Sequence, residues 1–259
     1  MFIAFLIFFA LIVLIYWDMY RPSKNFNFTE TEDVWVCLTT IPERLRDPWF
    51  YDNLQHLLKL KGTFRVLVTI PYKYSRTGEK YVIPPNVMKL SKDPKSRLTL
   101  HRTRHDLGPI TKLIGALRFA EIKHDSCLLV CDDDVRYKNN FVIDIVASFR
   151  SDKACVHTYC DSTATGFAGF MGSKKTLMPL LTLYNPPSCF TIDDDFIALG
   201  LKHLNIETVT VNRSWFGLNG FCSMDRKKTD THPKWNELNI LDDRSQKQKQ
   251  CKIDFKLYN

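Results

Sequence analysis

The sequence predicts an α/β fold in which a mainly parallel sheet is covered by helices on both faces. Apolar runs of strand length alternate with segments of helical spacing along the chain. Residues 34–40, 64–70 and 127–131 are mostly apolar, as strands buried on both faces of a parallel sheet are. Polar or charged residues follow where these runs end. They should therefore gather at the carboxyl edge of the sheet, where open α/β folds bind ligands.

The remaining elements continue the same alternation. Helices are predicted over residues 49–60, 110–122, 141–149 and 196–204. Further strands are predicted over residues 98–102, 154–159, 167–171 and 208–211. With no internal repeat, the chain is expected to form one domain over residues 34–225. The basic segment 226–259 is expected to complete the site, and the alternative is a solvated tail.

The composition is that of a compact globular protein. The chain has 259 residues, of which 45% are hydrophobic and 25% charged, and this excludes a disordered or low-complexity chain. Its net charge of +8 suits nucleic acid, anionic lipid or a phosphorylated substrate and does not choose among them. The eight cysteines are too sparse for a disulfide scaffold and are compatible with reduced thiols or with one or two bridges. Cys127 and Cys131 are expected to be small buried side chains on one face of a strand.

The N-terminus predicts a transmembrane anchor over residues 1–20, followed by a polar linker over 21–33. No charged residue interrupts residues 2–17, and no basic residue precedes them as it does in a cleaved signal peptide. The chain is therefore expected to be a single-pass membrane protein that contacts the membrane through this N-terminal helix.

The orientation of this anchor stays open from the sequence. Arg21 and Lys24 follow the apolar run, which by the positive-inside tendency leaves the body of the protein at the cytoplasmic face. Glycosylation sequons at Asn27 and Asn212 favour instead a lumen of the Golgi or ER type.

Three carboxylates emerge where the strand 127–131 ends. Side chains alternate along an extended chain, so Asp132 and Asp134 are predicted to face one side and Asp133 the other. Two carboxylates on one side form a partial shell for a hard cation such as Mn²⁺ or Mg²⁺, whose other ligands come from water or phosphate. A solvated acidic turn is the alternative. We call Asp132, Asp133 and Asp134 the acidic corner.

A second acidic cluster, Asp193, Asp194 and Asp195, precedes the predicted helix 196–204. Acidic residues stabilise a helix N-terminus. This role accounts for one or two of the aspartates but less well for all three. A carboxylate here could act as a general base that takes a proton from an attacking hydroxyl. Between the two clusters, the glycine- and aromatic-containing segment 166–172 suits either a surface that stacks a sugar ring or tight core packing.

Two further segments offer groups for an anion at the same edge. The segment 106–112 opens a helix whose free backbone N–H groups favour an anion, and Lys112 adds a charge there. The segment 39–44 offers hydroxyls and the planar guanidinium of Arg44, which suits a phosphate or a base edge. A helix start or a strand-to-helix turn with no ligand would show the same sequence features.

With these motifs in order, the chain resembles the GT-A family of nucleotide-sugar-dependent glycosyltransferases over about residues 34–211. CLLVCDDD resembles the strand and the Asp-x-Asp motif of that family, and TTIPER and DLGPITKL resemble its segments that contact the donor nucleotide and diphosphate. LVTIPY, DLGPITKL and VCDDDVRY together are similar to uncharacterised members from algal viruses and microbial eukaryotes. The resemblance implies donor contacts from Thr39, Thr40, Arg44, Asp106, Lys112, Asp132 and Asp133.

The resemblance also implies individual roles. Asp132 would contact the donor ribose, or the metal through water, Asp134 would ligate the metal, and Asp133 would assist. The second acidic cluster occupies the place of the catalytic base in inverting members, with Asp194 favoured among the three. Many such enzymes take a further metal ligand from a histidine near the C-terminus, and His232 is the candidate here.

The implied reaction is metal-dependent transfer, with inversion, of a sugar from a UDP- or GDP-linked donor to a hydroxyl of a glycan, protein or lipid. No Gln-x-x-Arg-Trp element of the processive polysaccharide synthases occurs, which disfavours polymer extrusion. One alternative is a metal-dependent nucleotidyl or phosphoryl transferase, although the chain lacks a Gly-x-x-x-x-Gly-Lys phosphate loop. Another is a membrane-tethered nucleic-acid-binding protein. The dispersed basic residues and the lack of a nucleic-acid-binding signature argue against it, so no nucleic-acid partner is expected.

Overall fold

A computed structural model of the chain describes residues 33–148, 155–157, 169–210 and 244–259. Within them the strands are β1 Val34–Thr39, β2 Arg65–Pro71, β3 Leu98–Thr103, β4 Cys127–Val130, β5 Cys155–His157, β6 Phe170–Ser173 and β7 Thr208–Thr210. The helices are α1 Pro42–Arg46, α2 Pro48–Leu58, α3 Pro85–Lys92, α4 Thr111–Arg118, α5 Phe141–Ser148, α6 Lys174–Leu177, α7 Asp193–His203 and α8 Arg244–Tyr258. A short 3₁₀ turn, Gly108–Ile110, leads into α4.

The strands form one sheet in the order β3-β2-β1-β4-β6-β5-β7. β1 to β4 run parallel to one another, and β7 runs parallel to β5. β6 is antiparallel to both of its neighbours, β4 and β5. Because only β6 runs against its neighbours among the strands described, the sheet is mainly parallel, as expected from the sequence. The apolar pattern did not indicate the reversed direction of β6.

Both faces of the sheet are buried, because side chains alternate along each strand. Val36 and Leu38 of β1 point into one core, which is closed by α2 and α5, while Trp35 and Cys37 point into a second core, which is closed by α4 and α7. The burial of both faces confirms the predicted α/β arrangement. Cys127 and Cys131 lie in the first core, as expected for small buried side chains.

The C-terminal residues 244–259 are not a solvated tail. They form α8, which places Cys251 and Phe255 in the second core. Cys251 is bonded to Cys189 by a disulfide with an S–S distance of 2.06 Å. The cysteine count allowed such a bridge, but no spacing in the sequence identifies which two of the eight cysteines pair.

The expected single-pass membrane localisation is corrected by the structure. Across the ranges that it describes, none of the helices combines the length and the apolar character needed to cross a bilayer. The predicted anchor 1–20, nearly all of the linker 21–33, the sequons at Asn27 and Asn212, and His232 lie outside the described residues.

Candidate active site

The acidic corner lies at the carboxyl edge of the sheet, directly after β4. Arg44, on α1 after β1, donates to Asp133 Oδ1 at 2.6 Å and lies 3.0 Å from Asp134 Oδ2. Lys112, on α4, donates to Asp132 Oδ1 at 2.5 Å. Three segments that are far apart in sequence thus meet here, because parallel strands bring their carboxyl ends to the same edge.

The backbone turns within the acidic corner. The side-chain amide of Asn53 donates to the carbonyls of Asp133 and Val135 at 2.9 and 3.0 Å. The hydroxyl of Tyr137 accepts the N–H of Asp132 at 2.9 Å. The predicted alternation of side chains is therefore wrong at this point: Asp133 and Asp134 share one guanidinium, because the chain has left the extended conformation.

Arg44 is held as a cation by the acidic corner. Burial alone would lower the pKa of its guanidinium, but the charges of Asp133, Asp134 and Asp132 outweigh burial and raise it. A guanidinium fork that contacts two carboxylates also fixes their relative orientation. Arg44 therefore neutralises part of the acidic charge and orients Asp133 and Asp134.

Lys112 joins the acidic corner to the first turn of α7. Its ammonium lies 2.8 Å from Asp193 Oδ2 as well as beside Asp132, and its side chain is only 3% exposed. Burial lowers the pKa of Lys112, but the charges of Asp132, Asp193 and Asp194 outweigh it and hold the pKa well above its usual range. Lys112 is therefore a buried cation shared between the two acidic clusters.

Asp134 carries a perturbed carboxyl group. Burial raises its pKa to about 7, with Asp133 and Asp132 adding to the rise and Arg44 opposing it. At neutral pH the group is poised between its protonated and ionised forms. A further positive charge beside it would favour the ionised form.

The residues of this edge fit a divalent cation that arrives with a phosphate ligand. Asp133 Oδ2 is buried and has no hydrogen-bond partner within the described residues. Within the described residues, three basic side chains, Arg44, Lys112 and the more distant Lys252, form ion pairs with the two acidic clusters. The six aspartates therefore outnumber these basic partners. The described ranges hold no ready group of three His, Cys, Asp or Glu ligands. Mg²⁺ commonly takes one or two carboxylates and completes its shell with phosphate and water, and such a site needs no ready cage.

The second acidic cluster forms the first turn of α7. Asp193 and Asp195 are both 8% exposed, and Asp193 is paired with Lys112. Asp195 Oδ2 accepts from Gln248 Nε2 of α8 at 2.8 Å, and its Oδ1 lies 3.9 Å from Lys252 Nζ. Asp194 is half-buried and is the most accessible of the three. Each carboxylate therefore has a different environment, which the three identical letters in the sequence do not indicate.

The two threonines after β1 make local contacts. Thr39 Oγ1 donates to the carbonyl of Thr69 on β2 at 2.8 Å. Thr40 is buried, and its carbonyl accepts the hydroxyl of Tyr81 at 3.0 Å. Both residues lie at the carboxyl edge, near Arg44, and a donor contact from either stays a prediction.

Asp106 organises the loop that leads into α4. Its carboxylate accepts from the backbone N–H and hydroxyl of Ser75 at 2.8 and 2.9 Å, and from the N–H of Gly108 at 2.9 Å. Gly108 has a φ of 70°, and a Cβ there would lie 2.3 Å from the carbonyl oxygen of Phe190. Glycine is required at this turn for both reasons. Asp106 thus has a structural role in the loop, and its contact with a donor stays a prediction.

The segment 166–172 favours core packing where it is described. Phe170 and Met171 lie in β6 and are fully buried, so neither can stack on a ligand in this structure. Residues 166–168 lie outside the described residues.

Comparison with solved structures identifies the fold. The chain is similar to the mannosyltransferase PcManGT from Pyrobaculum calidifontis in complex with GDP-Man and Mn²⁺, with a TM-score of 0.50 at 14% identity. The chain shares the fold of this mannosyltransferase. The match covers 80% of this chain and 64% of that one, so the chain spans less than two thirds of the mannosyltransferase.

Other solved structures match the chain less well. The structure of S. aureus TarS matches with a TM-score of 0.49 at 14% identity, over 70% of this chain and 35% of that one. TarS 1-349 in complex with UDP-GlcNAc matches with a TM-score of 0.48 at 12% identity, over 69% and 56%. No family model matches the chain. No curated protein sequence matches it either.

Several side chains around the site could not be identified from the sequence, among them Asn53, Tyr81, Tyr137 and Gln248. Each hydrogen-bonds to a residue that the analysis did single out, or to its backbone. Their partners are 41 to 80 residues away in the first two cases, so no local motif contains both members. Tyr137 is the exception, since it lies five residues after Asp132 and could have been noticed as a buried tyrosine in need of a partner.

Proposed function

We propose that the chain transfers a glycosyl group from a nucleotide diphosphate sugar to a hydroxyl acceptor. The observation that carries the proposal is Lys112, whose buried ammonium joins the acidic corner to the first turn of α7 in a glycosyltransferase fold. A donor diphosphate beside the corner and an acceptor hydroxyl beside α7 would then lie on either side of one fixed cation. The mannosyltransferase of similar fold, which binds GDP-Man and Mn²⁺, supports a nucleotide-sugar donor and a divalent metal.

On the donor side, Asp134 and Asp132 would hold Mn²⁺ or Mg²⁺, with Asp133 assisting and His232 as a further ligand. Bound there, the ion would supply positive charge against the charge that develops on the departing diphosphate. Thr39, Thr40, Arg44, Asp106 and Lys112 are proposed to contact the nucleotide or its phosphates.

On the acceptor side, Asp194 is the proposed general base. Among the three aspartates of this turn, Asp194 is half-buried while Asp193 and Asp195 are buried, so Asp194 is the one that solvent and an acceptor reach best. The acceptor oxygen would attack the anomeric carbon while Asp194 takes its proton. The bond from that carbon to the diphosphate breaks, and its electron pair leaves with the diphosphate. One displacement of this kind inverts the anomeric configuration.

The proposed catalytic domain spans residues 34–225, and the segment 226–259 completes the site. The contact between Gln248 and Asp195 supports the second part of this proposal, since α8 reaches the candidate base turn.

Calorimetric titration of the full chain with UDP and with GDP, each with and without Mn²⁺, tests the donor site. We expect binding of one nucleotide that depends on Mn²⁺, and its loss in Asp134→Asn. Asp125→Asn is the matched control, since Asp125 is exposed and precedes β4 at the opposite edge of the sheet. If the wild type, Asp134→Asn and Asp125→Asn all bind the nucleotide equally well, with or without Mn²⁺, this site assignment is wrong.

The products distinguish the rival functions. Incubation with a panel of nucleotide sugars should release a nucleoside diphosphate and free or transferred sugar. Release of a nucleoside monophosphate would indicate transfer of the sugar with its phosphate, and release of a sugar 1-phosphate would indicate nucleotidyl transfer instead. Salt-sensitive binding to DNA, with no binding of nucleotides, would support the nucleic-acid-binding alternative.

A further inference from the structure

Helix α8 contacts the turn that carries the candidate base. Gln248 Nε2 lies 2.8 Å from Asp195 Oδ2, and Asp195 is one residue beyond Asp194. Asp195 is 8% exposed, so its carboxylate depends on protein donors rather than on bulk water. A hydrogen bond to an ionised carboxylate is stronger than one between neutral groups, and a buried acceptor that loses its donor carries the full desolvation cost.

Several interactions fix α8 at this place. The disulfide between Cys189 and Cys251 is buried at both ends. The ring of Phe255 packs edge-on against Phe196 of α7, with centroids 5.7 Å apart. The hydroxyl of Ser188 donates to Asp254 of α8 at 2.7 Å. Gln248 therefore projects from a helix whose position is set by the covalent, polar and apolar contacts of residues 251–255.

The first turn of α7 is thus held from two directions. Lys112 holds Asp193 from the side of the acidic corner, and Gln248 holds Asp195 from the side of α8. Asp194 lies between these two anchored residues. We propose that Gln248 is a positioning residue that acts through Asp195 to fix the turn on which Asp194 lies. This proposal rests on the proposed function, because it gives the turn a catalytic role.

Substitution of Gln248 tests the role. In Gln248→Ala we expect kcat to fall by about tenfold, which corresponds to about 1.4 kcal/mol of lost transition-state stabilisation. The donor KM should stay within about twofold, since a base that is misplaced toward the acceptor does not weaken donor binding. The matched control is Gln250→Ala on the same helix, whose amide is exposed and bonds to Asp254. It should leave kcat and KM unchanged.

A double-mutant cycle separates positioning from a general loss of structure. If Gln248 acts through Asp195, Gln248→Ala should have almost no effect on kcat in an Asp195→Ala background, which has no side-chain acceptor for the amide of Gln248. Additive effects of the two substitutions would overturn the proposal, because each would then act on its own.

Hydrogen exchange makes the test independent of activity. The amides of residues 194–196 should exchange faster in Gln248→Ala than in the wild type and in Gln250→Ala. Unchanged exchange, or faster exchange with unchanged kcat, would overturn the positioning role. A wild-type chain inactive on every nucleotide sugar would instead refute the proposed function and with it the catalytic purpose of the turn. Even then, the hydrogen-exchange rates of residues 194–196 would show whether Gln248 orders the turn.

Discussion

The ammonium of Lys112 lies 2.8 Å from the carboxylate of Asp193 and thereby joins helix α4 to helix α7. Because the same ammonium also binds Asp132, one buried cation neutralises charge in both acidic clusters. Removing one partner from a buried ion-pair network leaves uncompensated charge in a dry environment. The stability of this edge should therefore depend on Lys112 more than on any exposed lysine.

We expect Lys112→Met to lower the free energy of unfolding by about 3 to 5 kcal/mol, because Asp132 and Asp193 lose their shared cation. Urea unfolding at neutral pH measures this, with Lys123→Met as the control, since Lys123 is exposed in the turn that precedes β4. Equal stability of the two variants would mean that the ion pairs contribute nothing net. Full activity in Lys112→Met would also remove Lys112 from the donor site.

The pKa of Asp134 predicts how stability without metal varies with pH. The group has a pKa of about 7 in the folded chain and an ordinary value of 3.8. Between these values the folded state holds a proton that the unfolded state has released. The free energy of unfolding should therefore fall as the pH rises from about 4 through about 7, by an amount on the order of 4 kcal/mol from this group.

Unfolding in the presence of a chelator at pH 5, 6, 7 and 8 measures this effect. Asp134→Asn should remove that part of the decline, because an amide does not titrate. Mn²⁺ at pH 8 should restore stability to the wild type and not to the variant. Parallel curves for the two proteins would show that Asp134 does not titrate in this range.

The sequence was informative wherever one segment contains the whole signal. The apolar run 127–131 with its three aspartates located the candidate site, since a buried strand followed by charge is a local pattern. The bridge between Cys189 and Cys251, and the contact between Gln248 and Asp195, join residues 62 and 53 positions apart. Which of these residues meet depends on how α8 packs on α7. The sequence of α8 is basic and polar, and its hydrophobic pattern does not indicate this packing.

A similar limit applies within the acidic corner. Alternation predicted opposite sides for Asp133 and Asp134, but a backbone turn brings both to Arg44. That turn is fixed by Asn53, which lies 80 residues before Asp133 on α2. The chemistry of the corner could be predicted from residue types, whereas its geometry depends on a distant amide.

Asn53 provides the next prediction. In Asn53→Ala the carbonyls of Asp133 and Val135 lose their donors, and unsatisfied buried acceptors cost about 1 to 3 kcal/mol. The corner should also loosen, so the Kd for a nucleoside diphosphate with Mn²⁺ should rise by about tenfold, or about 1.4 kcal/mol. Gln55→Ala is the control, because Gln55 lies on the same helix and, among the described residues, bonds to the nearby Tyr51. A stability loss without a change in Kd would restrict Asn53 to folding.

The disulfide gives the last prediction. Replacing Cys189 and Cys251 together by serine opens a covalent loop of 62 residues and should lower the free energy of unfolding by about 2 to 5 kcal/mol. Both sulfurs are buried, so the native bridge should resist mild reductants, and a thiol-labelling assay on the folded chain should detect neither cysteine. Because α8 carries Gln248, a folded double-serine variant should also lose kcat in proportion to the loosening of α8 in hydrogen exchange. Retention of wild-type kcat with a freely exchanging α8 would show that the helix stabilises the domain without serving the site.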